Sequence, residues 1–254
     1  MTIHTDTERE RLVEAGKRLA RVLATLGEKI APGVSTEYLD DAAEAMIRDG
    51  GDTPAFLGYT PEGAVRPYPA TLCVSINDEV VHGIPNESPR LLKEGDIVSL
   101  DLGLTHEGII VDAAITVAVG TVSEESTKLM RATEEALAAG VEAARPGNHV
   151  GDIGYAIQQA IGRAGFTVVK SLGGHGVGER VHDEPFIANF GKPGTGELLE
   201  EGMVLALEPI ASVGSGAVVL APDGYTYRTR DGSRAAHYEH TILLEQAGPR
   251  IITA

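Results

Sequence analysis

Four carboxylates in this chain sit where carboxylates are costly. Asp101 closes the apolar run Ile97-Val98-Ser99-Leu100, and Asp112 interrupts Ile109-Ile110-Val111 and Ala113-Ala114-Ile115. Glu208 follows Met203-Val204-Leu205-Ala206-Leu207, and Glu239 precedes Thr241-Ile242-Leu243-Leu244. Each run has the length and β-branched content of a buried strand. One such Asp alone reads as a solvent-facing or ion-paired residue. Four of them must be paired, protonated or metal-bound, because an isolated buried carboxylate is strongly disfavoured. His175 adds a nitrogen donor from the segment Gly173-Gly174-His175-Gly176-Val177-Gly178, where glycines let backbone approach a ligand closely.

Charge counting favours two divalent cations against four negative charges. Oxygen ligands with one imidazole suit Mn, Fe, Co or Zn. Two ions about 3.5–4 Å apart can share a water and lower its pKa. Neutral histidines beside them can donate hydrogen bonds to a developing oxyanion or to a leaving nitrogen. The chemistry is hydrolysis of an amide or ester. His82, in Glu79-Val80-Val81-His82-Gly83-Ile84-Pro85, and His182, before Asp183-Glu184-Pro185, are the histidines placed for it. His4, His106, His149, His237 and His240 read as surface or supporting groups. The glycine segment matches neither the P-loop nor the dinucleotide-binding pattern. No Gly-x-Ser-x-Gly elbow is present. Cys73 lies in an apolar strand run without a neighbouring base, which argues against a thiol nucleophile.

The elements that must position these groups follow from periodicity. Residues 8–30 read as an amphipathic helix with Leu12, Leu19, Leu23, Leu26 and Ile30 on one side, ended by Ala31-Pro32-Gly33. A second helix runs from Ser35-Thr36-Glu37 to about Asp49, stopped by Gly50-Gly51. Residues 52–92 are rich in turns around the strand-like run Thr71–Ile76, and a long helix spans about Glu124 to Ala144. Setting Pro32-Gly33 on Pro146-Gly147, an offset of 114, puts Leu39 on Ile153, Ala42 on Ala156, Ile47 on Ile161 and Gly51 on Gly165. Further along, Glu94-Gly95 matches Glu201-Gly202, which lays Asp101 on Glu208; Val81-His82 matches Val181-His182, and Asp112 can be laid on Glu239. The expected architecture is α+β: one catalytic domain over 1–254, built from related halves 1–122 and 123–254.

Composition excludes several classes. The net charge is -16, from 21 basic and 37 acidic residues, which argues against specific nucleic-acid binding. No apolar stretch approaches the roughly 20 residues that span a bilayer, and no signal-peptide core follows the polar start. The single cysteine fits a reducing, cytoplasmic setting.

The ordered set of motifs resembles the type I methionine aminopeptidases of the pita-bread metallopeptidase family. The segments that carry the resemblance are Asn77–Pro85, Ser99-Leu100-Asp101-Leu102-Gly103, Gly174–Gly178, Leu207-Glu208-Pro209 and Tyr238-Glu239-His240-Thr241. The spacing of eleven from Asp101 to Asp112 and of seven from His175 to His182 also fits. The resemblance implies a pita-bread fold, with two pseudo-twofold-related halves and a curved antiparallel sheet covered by helices. It implies two divalent ions (Co, Mn, Fe or Zn) held by Asp101, Asp112, His175, Glu208 and Glu239. Asp112 and Glu239 are then the bridging ligands; Asp101 leans to one ion, and His175 and Glu208 to the other.

By the same resemblance, Glu208 is also the acid/base group, His82 faces the scissile amide nitrogen and His182 the carbonyl oxygen. Phe56, Tyr59, Tyr68, Cys73, Val181 and Tyr225 line the pocket for a methionine side chain. The implied reaction removes the initiator methionine from nascent peptides when the second residue is small. A monomer, working in proximity to the ribosome, is the family expectation. The chain departs from the family pattern in three places. Thr60 to Pro67 separate two tyrosines that usually lie closer together, Tyr225 stands where tryptophan is common, and Asp183 replaces a more usual Glu. X-Pro aminopeptidases and prolidases of the same fold usually carry an extra N-terminal domain, for which this chain has no room. A non-enzymatic binding protein on the scaffold is disfavoured by the complete ligand set.

Overall fold

The computed structural model describes residues 1–254. The chain opens with α1 (Asp6–Glu28) and α2 (Thr36–Asp49), followed by β1 (Thr53–Pro54), β2 (Leu72–Ile76), β3 (Glu79–Val81), β4 (Ile97–His106) and β5 (Ile109–Ala118). A second helix pair, α3 (Glu124–Ala143) and α4 (Val150–Arg163), comes next. It leads to β6 (Thr167–Val168), β7 (Gly173–Gly176), β8 (Asp183–Ala188), β9 (Val204–Leu207) and β10 (Ile210–Ser212). The last strands are β11 (Val218–Leu220), β12 (Tyr227–Thr229), β13 (Ala235–His237), β14 (Glu239–Glu245) and β15 (Gly248–Ile251). The architecture is α+β, as expected. No helix is long and apolar enough to cross a membrane.

α1 starts and ends two residues before the span expected from its apolar spacing. Thr5 and Glu8 form a capping box: the Glu8 N–H donates to the Thr5 hydroxyl at 3.2 Å, and Glu8 accepts from the Thr5 N–H at 3.0 Å. Ile30 falls beyond the helix but still packs against the core. In α2 and α4 the aligned positions share their environment. Leu39 and Ile153 are fully buried, as are Ile47 and Ile161. The turn glycines match as well, with φ of 89° at Gly33 and 93° at Gly147, and 82° at Gly51 and 86° at Gly165. These left-handed values are where glycine is least strained.

Nine strands form one curved antiparallel sheet. β1, β4, β5, β14, β9, β7 and β8 lie side by side in that order, with β2 also on β4 and β15 on β14. Its register places the chemistry. Residues paired across antiparallel strands share a face, as do alternate residues along one strand. Ala114 of β5 pairs with Asp101 on one side and Glu239 on the other. Asp112, two residues before Ala114, shares that face. Thr241, two residues after Glu239, pairs with Ala206, and Ala206 pairs with His175. Glu208 follows two residues after Ala206, just past the end of β9. All five candidate ligands therefore project from one face of five adjoining strands.

The opposite face is apolar and covered by helices. Leu100, Leu102, Leu104 and Ala113 share a cluster with Leu12, Leu19 and Leu39 of the first helix pair. Leu205, Leu207, Ile242 and Leu244 share another with Leu129, Ile153 and Ile157 of the second pair. Each side chain fully withdrawn from water contributes about 1.5–3 kcal/mol to that face, and burial there leaves the strands no freedom to slip by one residue.

β5 and β14 are joined over only two paired positions, Glu239 with Ala114 and His240 with Ala113. Beyond them Thr241 holds the strands together. Its hydroxyl donates to the Asp112 carbonyl at 2.8 Å and accepts from the Asp112 N–H at 2.9 Å. Thr241→Val keeps the shape and strands both backbone groups without partners. It is expected to lower unfolding stability by about 1–3 kcal/mol in urea titrations. Wild-type stability in that variant contradicts the role given to Thr241.

Candidate metal centre

Asp112, His175 and Glu239 bring ligand atoms within 4.8 Å of one another, and all three are buried. Asp101 and Glu208 line the same cleft but stand outside that tightest group. Asp101 Oδ1, Asp112 Oδ1 and Glu239 Oε1 are buried without any hydrogen-bond partner. Native proteins rarely leave such atoms unpaired. Carboxylate oxygens converging with no donor to satisfy them are the donor set a divalent cation takes, so the residues present fit a metal centre.

His175 is oriented for ligation. Its Nδ1 lies 2.9 Å from the Gly176 carbonyl, which can only accept, so Nδ1 carries the proton. Nε2 is left as a lone pair, 3.7 Å from Glu208 Oε1. Its neighbour Gly174 has no substitute. A Cβ there would fall 2.3 Å from the Ala206 carbonyl, so only glycine lets β7 close on β9 at this point. The Glu208 carbonyl accepts from the side-chain amide of buried Asn189 at 2.9 Å, which fixes the chain where it leaves β9.

His82 follows β3 with φ 58°, a left-handed value uncommon for a side chain of this size. The segment is fixed by Gly83, whose carbonyl accepts from Val74 N at 2.9 Å and whose N–H donates to Ser75 Oγ at 3.1 Å. His182 stands at the exposed mouth of the cleft, with Nδ1 3.0 Å from the Tyr59 hydroxyl. Its ring meets that of His175 edge-on, centroids 4.5 Å apart.

Of the surface and supporting alternatives open for His237, the structure shows a buried residue inside the cleft. It is 1% exposed, lines the cleft, and neither ring nitrogen has a hydrogen-bond partner. Nε2 lies 3.7 Å from Glu208 Oε2 and 3.8 Å from Glu239 Oε2. Thr116 holds it in place, accepting from the His237 N–H at 3.0 Å and donating to its carbonyl at 2.7 Å. The available signal was position: His237 precedes Glu239 by two residues and follows two alanines. The other four histidines fit the supporting reading; His106, for example, bonds Asp52 at 2.7 Å.

The six expected pocket residues do converge beside the carboxylates. Phe56, Tyr59, Tyr68, Cys73, Val181 and Tyr225 line the same cleft. Cys73 pairs in register with Asp101, so pocket floor and acidic cluster adjoin. Burial pushes its thiol well above the ordinary value, and the Asp101 charge adds to this, so the thiol stays protonated. Residues 60–67 leave and return as an excursion, and Tyr68 N donates to the Tyr59 carbonyl at 2.8 Å. The two tyrosines therefore stay adjacent despite the residues between them. Pro61, from that excursion, also lines the cleft and was not foreseen.

The model for metallopeptidase family M24 matches residues 10–246. The chain belongs to this family. Among M24-type relatives, a methionine aminopeptidase of Aquifex aeolicus is 45% identical over 99% of this chain and 98% of its own length. Methionine aminopeptidase 1 of Mycobacterium tuberculosis is 43% identical over 97% of this chain and 92% of its own. The crystal structure of methionine aminopeptidase from Rickettsia prowazekii superimposes with a TM-score of 0.94 at 38% identity, covering all of both chains. The prolidase from Pyrococcus furiosus shares the fold, with a TM-score of 0.75 at 21% identity, and this chain covers 65% of it. The pita-bread fold expected from the motifs is the fold observed.

Burial dominates the electrostatics of this M24 site. It raises Asp101 to about 7. Asp112, Glu208 and Glu239 are pushed well above the ordinary range by burial first and by neighbouring carboxylate charge second, that of Asp101 contributing to all three. Burial lowers His82 to about 4, and His175 and His237 to about 3, so these rings are neutral at pH 7. The two sets have opposite consequences without metal. Raised carboxylates bind more protons folded than unfolded, so their contribution is present at low pH and lost as pH rises. Lowered histidines favour the fold as pH rises to their unfolded value of about 6.5. Above that value only the carboxylates act. Chelated protein is expected to lose stability between pH 6.5 and 8 in urea titrations, and a bound divalent ion to remove that loss by displacing the protons. A chelated protein equally stable at both pH values contradicts this account.

Proposed function

We propose that this chain is a methionine aminopeptidase: a metal-dependent hydrolase that removes the initiator methionine from nascent proteins and peptides, preferring a small second residue. The observation that carries the reading is the junction of a buried, donor-starved carboxylate cluster with an apolar pocket ringed by Phe56, Tyr68 and Tyr225. The full-length similarity to methionine aminopeptidases supports it. An unbranched thioether suits such a pocket through area burial and sulfur–aromatic contact. A bulky second side chain meets the narrow cleft and is excluded by collision.

Asp101, Asp112, His175, Glu208 and Glu239 are the residues that would hold two divalent ions, with Asp112 and Glu239 the ones that would serve both. Bound there, the ions supply an activated water and polarise the scissile carbonyl. The remaining work belongs to side chains. Glu208, whose pKa burial raises, is suited to take the attacking water's proton at a carboxylate oxygen and pass it to the leaving amine. His82 is neutral at pH 7 and faces the departing nitrogen as a donor. The Tyr59 hydroxyl can donate to His182 Nδ1, which leaves the His182 Nε2–H to donate to the carbonyl oxygen as negative charge develops. His237 sits between Glu208 and Glu239 and is assigned to orienting both.

The chain is read as one catalytic unit whose halves, 1–122 and 123–254, each give one member of the pairs Asp101–Glu208 and Asp112–Glu239. The buried free thiol of Cys73 fits a reducing cytoplasm. A monomer working near the ribosome is the matching setting.

Purified protein supplied with Mn, Fe or Co is expected to release free methionine from Met-Gly and Met-Ala peptides, read by mass spectrometry. Chelation and dialysis should abolish release. Equal efficiency on X-Pro peptides sinks the methionine assignment. Glu208→Gln is expected to lower turnover by about 10²-fold or more; wild-type turnover at undiminished metal content removes Glu208 from catalysis.

A further inference from the structure

The walls of the side-chain pocket are not all held by the sheet. Phe56 is pressed over Gly103, where a Cβ would lie 2.5 Å from its ring. Cys73 belongs to β2, and the Tyr68 hydroxyl donates to the Gly83 carbonyl at 3.1 Å. Pro61 and Tyr225 have no such framework. Pro61 rides on the 60–67 excursion, and Tyr225 lies in the turn between β11 and β12.

Arg66 connects these two loop-borne walls. Its carbonyl accepts a short hydrogen bond from the Tyr225 hydroxyl. Its guanidinium donates to both oxygens of Glu87 and to the Asp223 carbonyl at 3.1 Å, and lies 5.9 Å from the Tyr225 ring centroid. The Asp223 contact runs to the turn that carries Tyr225, where Asp223 Oδ1 accepts from the Tyr225 N–H at 2.8 Å; the Glu87 contact runs to a segment anchored outside it. Glu87 follows Asn86, whose amide donates to the Pro69 carbonyl at 2.9 Å and to Asp40 at 3.1 Å. The Arg66 carbonyl contact belongs to the backbone, whereas the contacts to Glu87, to the Asp223 carbonyl and to the Tyr225 ring use the planar, forked guanidinium. The side chains of Arg66 and Glu87 are 34% and 42% exposed, so the pair adds little to global stability. Its effect is geometric.

We infer that Arg66 is a positioning residue that fixes Tyr225 and Pro61 and so sets the size of side chain admitted from a substrate's first residue. The substrate in this inference rests on the aminopeptidase reading above; the latch itself does not. One methylene more or less in a rigid apolar pocket changes selectivity by about 10–200-fold. A wall free to yield forfeits part of that discrimination.

Two readouts test it. For peptides Xaa-Gly, the ratio of kcat/KM for methionine over leucine or phenylalanine is expected to fall about fivefold or more in Arg66→Ala, within the range a rigid pocket supplies. KM for Met-Gly should rise more than kcat falls, and Arg66→Lys, which keeps charge without the fork, should lie between. Separately, 3-fluorotyrosine labelling of the seven tyrosines, with the Tyr225 line assigned by Tyr225→Phe, reports the wall directly by fluorine NMR. That line is expected to broaden or shift in Arg66→Ala while the others hold. Unchanged selectivity together with an unchanged Tyr225 line overturns the inference. If wild-type protein releases no methionine, the aminopeptidase reading fails by itself, and the fluorine line still decides whether Arg66 holds Tyr225. A general loss of all seven lines is unfolding, in which case Glu87→Gln, which weakens the same latch from an exposed position, gives the deciding spectrum.

Discussion

Asp101, Asp112 and Glu239 occupy one buried face at neighbouring positions, and each keeps an oxygen that no donor reaches. Like charges at this range, withdrawn from water, repel one another strongly. The surrounding structure is arranged to hold them together against that repulsion. Small residues, Ala114, Gly103 and Ala206, occupy the intervening sheet positions, so the carboxylates have space without neighbours that could neutralise them. The compensating apolar burial lies on the reverse face, where two helix pairs clamp the strands. A cation entering from the open face is the physical counterweight this arrangement lacks.

The cleft divides by how it is built. The ligand side is sheet: register and glycine contacts determine where each donor points. The side-chain pocket is partly sheet and partly loop, and its loop walls depend on hydrogen bonds from an excursion with no regular structure. Precision at the reacting centre and tunability at the rim thus come from different elements. The histidines complete the division. His175 is oriented by its own neighbour's carbonyl and His182 by Tyr59, while the backbone of His237 is held by Thr116 from the neighbouring sheet.

Much of this was legible in the sequence. Carboxylates embedded in apolar runs marked the face that needs a counterion, and the helix-to-helix match of Leu39 with Ile153 and Ile47 with Ile161 marked equivalent packing. What escaped was non-local. Thr241 acts on Asp112, 129 residues away, and a threonine in a strand carries no sign of that bond. His237 looked peripheral because its burial comes from pairing with Ile210 and from Thr116, neither of which is near in sequence. Tyr238 conceals the connection, since the chain changes sheets there, from β13 to β14. The residues between Tyr59 and Tyr68 seemed to push the tyrosines apart; two backbone bonds, from Tyr68 N to the Tyr59 carbonyl and from Gly58 N to the Tyr68 carbonyl, close the excursion and keep them together.

The central claim is that the acidic face is one two-ion centre assembled by neighbouring strands. Metal stoichiometry at saturation tests this most directly, by calorimetric titration with Mn or Co checked by elemental analysis of the dialysed complex. The account predicts two ions per wild-type chain and the loss of both high-affinity events in Asp112→Asn, since that carboxylate is proposed to serve both ions. One ion per chain at saturation, or two retained with wild-type affinity in Asp112→Asn, contradicts it.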